Sequence, residues 1–147
     1  MIISNKLKTM QVIAAGLTVF CAACLFAALG NKEREGKDNP GIPDAVSSMS
    51  DGETCRLTVV ANSGTIGDEE KFARMVIEMC RENSFQSLRL STDIEGWPEK
   101  LDIRVYLRKR DIGKREPAMH ILYEPADDGE NYDIRNDEGK YHMTVWS

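Results

Sequence analysis

The sequence predicts an α+β protein: an N-terminal transmembrane helix, then a small domain in which a curved antiparallel sheet packs on one helix. Three observations predict it. Residues 12–29 (VIAAGLTVFCAACLFAAL) run for eighteen positions without a charge. Residues 68–82 hold the one stretch with apolar side chains at helical spacing. Beyond residue 54, the other apolar residues fall in short alternating runs separated by Gly, Pro, Asn and Asp. With 147 residues there is room for one folded domain. A net charge of −5 excludes a general polyanion binder, so no nucleic-acid partner is expected.

The apolar run comes first. At helical rise it spans roughly 27 Å, close to the hydrocarbon thickness of a bilayer. Lys6 and Lys8 precede it, and a mixed run from Lys32 to Asp38 follows. The short basic start favours an N-inside, single-pass signal-anchor, with the C-terminal domain outside the cytoplasm. Residues 1–30 form this anchor, and 12–29 are the membrane contact. Two other readings compete: a cleaved secretory signal ending at Ala28-Leu29-Gly30, and a lipoprotein signal with Cys24 as the lipidated residue. Small residues recur every four positions at Ala14, Thr18 and Ala22, and again at Ala23 and Ala27, spacing that permits a homodimer through close helix approach. The C-A-A-C of Cys21 and Cys24 lies in this segment, where hydrocarbon disfavours a thiolate, and reads as packing.

Residues 31–53 lack apolar periodicity and are rich in charge, Gly, Pro, Ser and Asp. They read as a flexible polar linker with a reach on the order of 25 Å. The extracytoplasmic α+β domain, residues 54–147, begins with the alternation of Cys55, Leu57 and Val59, a strand. Ser63, Gly64 and Gly67 end it, and Asp68, Glu69 and Glu70 make the acidic first turn of the helix. Its apolar face holds Phe72, Met75, Val76, Met79 and Cys80, and Asn83 stops it. Strands are expected at 85–91, 101–108, 118–124, 131–135 and 140–146, joined by the turns at 96–98, 112–113, 127–129 and 136–139. The order is β-α-β-β-β-β-β.

One helix of about four turns cannot cover a flat sheet of six strands, so the sheet must curl round it or a partner must cover the rest. In element order the domain resembles the cystatin-like architecture, a curved antiparallel meander on one helix, which small extracytoplasmic bacterial domains also use. The Gln-x-Val-x-Gly hairpin of cysteine-protease inhibitors is absent, so the resemblance implies no inhibitor function. The alternative is a ferredoxin-like sandwich, which needs a second helix.

Cys55 on the first strand and Cys80 on the helix return to a similar level and are a disulfide candidate worth ~3 kcal/mol, or else two buried core thiols. There is no phosphate loop, G-x-S-x-G, H-E-x-x-H or dinucleotide fingerprint, so no cofactor is expected and the sequence leans away from catalysis. His120 and His142 lie on strands, each pointing away from the apolar face; with Glu124 or Asp133 they are weak metal candidates, two ligands where three or four are needed.

Charge is polarised. Residues 104–115 carry Arg104, Arg108, Lys109, Arg110, Lys114 and Arg115 against Asp111, whereas residues 124–138 carry seven acids against Arg135. A dipolar domain suits oriented docking on a protein partner or an envelope component. Trp97 and Trp146 are aromatic anchors if exposed. The leading expectation is a membrane-tethered interaction domain without catalytic activity, binding through the six basic residues and Trp97. The rival is an envelope enzyme or metal-binding protein using His120, His142 and a nearby carboxylate.

Overall fold

The computed structural model describes residues 41–93, 96–127 and 131–147. The anchor at 12–29, its alternative signals, Cys21 and Cys24 lie outside the described residues. Among the described residues no helix is long and apolar enough to cross a membrane.

The domain is α+β. Strands β1 (Asp44–Ser50) and β2 (Thr54–Val60) form a hairpin; helix α1 (Glu69–Glu82) follows; β3 (Lys100–Tyr106), β4 (Met119–Pro125) and β5 (Tyr141–Trp146) complete one sheet. Strand order follows the chain, β1-β2-β3-β4-β5. Neighbouring strands are antiparallel except β2 and β3, which are parallel, so the sheet is mixed and not the antiparallel one expected. The helix is the reason. It carries the chain back to the level where β2 began, and the next strand must then run the same way.

Helix α1 begins where the sequence places it. Asp68 is the N-cap, its carboxylate accepting the Lys71 N–H at 2.9 Å. Asn83 ends the helix in the left-handed region at φ 52°, its N–H donating to the Cys80 carbonyl. The buried stripe is Ala73, Val76, Ile77 and Cys80, with Phe72 and Met79 at its margin. Met75, expected inward, is 42% exposed, and Ile77 is buried in its stead. Small Ala73 lets the helix sit close on the sheet, which rotates the stripe away from Met75. The strands meet it with Leu57 and Val59, Leu101, Ile103 and Val105, and Met119 and Ile121, all nearly or fully buried.

Three expected elements differ. Residues 44–50, within the stretch read as linker, form β1. It is an edge strand whose residues are mostly exposed, so its Ser-rich sequence shows no alternation, and only Ala45 is fully buried. Residues 85–91 form no strand. Both sides of β2 are occupied, by β1 and β3, leaving no edge for this segment between them. It loops instead, held by Asp44, whose carboxylate accepts the Gln86 and Ser87 N–H groups, and by Asn83, whose amide pairs with both backbone groups of Leu90. Phe85 and Leu90 go into the core.

Residues 131–135 also form no strand. The Asp133 carboxylate accepts the N–H groups of Arg135 and Asn136 at 2.9 and 2.8 Å and bends the chain into a turn. Burial raises the Asp133 pKa, but hydrogen bonds from the Asn136 backbone and side chain and from Arg135 outweigh it and hold the group below its ordinary 3.8. A depressed carboxylate stabilises the fold above its unfolded pKa, and that contribution disappears as pH falls through the folded value. Asp133→Asn is therefore expected to lower stability at neutral pH, with the gap to the parent closing as acid denaturation curves pass below pH 3.8.

Candidate binding cleft

With α1 on one face, no helix among the described residues covers the other face of the sheet. Pairing places its side chains in rows. Arg104 faces His120, which faces Trp146; Asp102 faces Leu122, which faces Thr144; and Glu124 faces His142. A polar line crosses these rows: Arg56 lies 3.0 Å from Asp51 and 4.0 Å from Asp102, and Asp102 Oδ1 lies 2.5 Å from His120 Nε2. The His120 ring then meets the Trp146 ring, 4.5 Å between centroids and tilted by 59°. A carboxylate on one side and an indole on the other fix the imidazole orientation.

At the end of this face, the segment between β3 and β4 overhangs the sheet. A 3-10 turn at Lys109–Asp111 is followed by Gly113 at φ 74°, and the Asp111 carbonyl accepts the N–H groups of both Lys114 and Arg115. A side chain at position 113 would be strained in that left-handed conformation. The double turn sets Lys114 and Arg115 over a cleft of about 820 Å³, whose floor and walls include Arg104, Tyr106, His120 and Trp146. Ligand clefts usually measure about 300–1,000 Å³.

The structure sorts the expected basic residues into two groups. Arg104, Lys114 and Arg115 line the cleft. Arg108, Lys109 and Arg110 are exposed on the outer tip and do not. Of all six, only Arg115 makes an ion pair among the described residues, 3.6 Å from Asp111. Glu116 is the one acidic side chain lining the cleft, against Arg104, Lys114 and Arg115. Trp97 does not join this surface. It precedes β3, whereas the cleft lies beyond the other end of that strand; it packs half-buried against the core, with the Arg135 guanidinium 5.4 Å from its ring centroid.

His120 and His142 are not brought together. Each has its own carboxylate, Asp102 for His120 and Glu124 at 3.6 Å for His142. Glu124, the cross-strand neighbour of His142, stands four residues along β4 from His120, about 13 Å at strand rise. Asp133 is engaged in its own turn, and among the described residues no group of three or more ligating side chains could hold a metal ion. The acids around residue 138 are partly spent as well, with Glu138 3.2 Å from Arg81.

Cys55 and Cys80 are buried in one core as free thiols. Burial raises both thiol pKa values, and each group stays protonated at neutral pH. Iodoacetamide is expected to leave them unmodified in the native protein and to label both once the domain is unfolded, as read by intact mass.

Sequence alone missed Tyr106 and the Asp102–His120 pair. The alternation of β3 and β4 held the signal, because pairing Ile103 with Ile121 sets Arg104 against His120. The chain matches no protein-family model, no curated protein and no solved structure.

Proposed function

We propose that the chain is a membrane-tethered binding protein, non-catalytic, whose domain stands outside the cytoplasm and takes a partner at the cation–aromatic cleft. The carrying observation is that cleft: about 820 Å³, with Arg104 and Lys114 unpaired among the described residues and Trp146 45% exposed at its wall. Unneutralised cations side by side repel, and a partner that brings acids relieves them and is steered to the site. Arg and Trp are also the residues on which interfaces concentrate binding energy. The tether rests on the uncharged run at 12–29. The cystatin-like architecture belongs to the same proposal: one helix on one face of a mostly antiparallel sheet supports it, and the parallel β2–β3 pair departs from it.

The test is affinity purification of the full chain from gently solubilised native membranes, beside the double variant Arg104→Glu, Lys114→Glu and a tip variant reversed at Arg108, Lys109 and Arg110. A stoichiometric partner, lost in the cleft variant and retained in the tip variant, is expected. Recovery of the chain alone would count against the proposal.

One observation favours a second reading, an enzyme using proton transfer: Asp102 lies 2.5 Å from His120, which lines the cleft. A carboxylate that orients an imidazole is how general bases are held. If the variant with both histidines changed to alanine keeps its fold, metal content and partner, that reading is removed.

A further inference from the structure

We infer that β5 is the docking edge for an extended segment of a protein partner, one whose side chains alternate between apolar and acidic and which joins the sheet as a sixth strand. The inference rests on the cleft reading above and says what the partner presents. Strand β5 closes the sheet, and among the described residues no backbone hydrogen bond reaches residues 142–146 from the side away from β4. Native sheets guard such edges with bulges, prolines or charged residues. The opposite edge, β1, is guarded by a register shift between Ala45 and Ser47. Strand β5 has no such protection. Its six residues, YHMTVW, pair with β4 without a break and include no proline, lysine, arginine or acid.

A groove flanks this edge on each face. On the open face, Trp146 borders the basic cleft together with Lys114 and Arg115. On the helix face, a groove of about 780 Å³ lies between α1 and β5, where Met75, Ile77, Tyr123, Met143 and Val145 are flanked by the charged Glu70, Arg74, Glu78, Arg81 and Glu138. An added strand sends successive side chains to opposite faces. Alternate residues therefore lie beside the apolar side chains of Met143 and Val145 on the helix face, and the others pass Thr144 and Trp146 toward Lys114. Main-chain pairing supplies affinity in this mode of recognition, and the two grooves supply specificity. The cations on the open face select acids. A second copy offering its own β5 would bring none, so charge favours a different chain as occupant.

The test uses the full chain in detergent micelles and a labelled octapeptide alternating valine and glutamate, read by fluorescence anisotropy. Within a strand, all residues facing one side of the sheet point their N–H groups toward the same neighbour. Methylating the amides of the valines, or of the glutamates, therefore blocks pairing with β5 in one peptide and leaves it intact in the other. Expected are binding of the alternating peptide, loss of binding in one methylated peptide only, and about tenfold weaker binding both to Lys114→Glu and of a block peptide of the same composition. Equal binding of block and alternating peptides, or of both methylated peptides, overturns strand addition, as does a chain dimer that the peptide does not dissociate. If strand addition fails while the cleft variant still loses a stoichiometric partner, the cleft reading stands alone; if neither effect is seen, both fall.

Discussion

Phe85→Ala is expected to lower the stability of the domain by about 3–5 kcal/mol, the range for emptying a buried aromatic site. Phe85 has no exposed surface although it lies in a loop. It sits two residues past the Asn83 cap, where the chain leaves α1, and its neighbours Gln86 and Ser87 are tied to Asp44 on β1. Those polar ties fix the backbone on both sides, so the loop cannot collapse into the space and the cavity persists. Denaturant unfolding should show a lower midpoint with an unchanged slope. A loss below about 1 kcal/mol would mean that the loop peels away and the core closes without it.

The second large effect is at Arg81. Its guanidinium donates to the Ile134 carbonyl at 2.9 Å and the Arg135 carbonyl at 3.2 Å, and it lies between Glu78 and Glu138. Its side chain is only 16% exposed, whereas Glu78 and Glu138 are 53% and 70% exposed, so the carbonyl bonds matter more than the ion pairs. Arg81→Met is expected to cost about 2–3 kcal/mol, the range for hydrogen bonds from a charged donor left unmade. Arg81→Lys should recover little, because an ammonium cannot span two carbonyls with a fixed fork. Hydrogen exchange should show residues 131–138 opening first in either variant, since this donor clamps the Ile134 turn onto the helix. Uniform loss of protection across the domain would show that the turn is no separate unit.

Both residues mark where sequence reading ends. Elements with strong local determinants were legible: the caps Asp68 and Asn83, the helical spacing between them, and the period of two in 101–105 and 119–123. Elements whose form is set by distant partners were not. The run 85–91, with Leu88 and Leu90 two apart, reads as a strand, and it loops because β2 already has β1 and β3 on its two sides. The run at 131–135 fails as a strand because one carboxylate captures two backbone donors. Strand β1 was hidden because an edge strand with an exposed face needs few apolar residues. For the cleft, the charge cluster was readable, but its division into cleft and tip follows from the double turn at Asp111–Arg115, and the exclusion of Trp97 from its place before β3.

The parallel β2–β3 pair has a consequence for how the chain finds its fold. The β1–β2 hairpin closes locally, and so do the β3–β4 and β4–β5 pairings. Only β2–β3 joins strands separated by the helix and the long loop after it, residues 61–99. Closing a loop of that length costs about 3 kcal/mol of chain entropy before any contact offsets it. The slow step of folding should therefore be the meeting of two preformed halves, an N-terminal hairpin with its helix and a C-terminal meander, along the one seam where neither half can template itself.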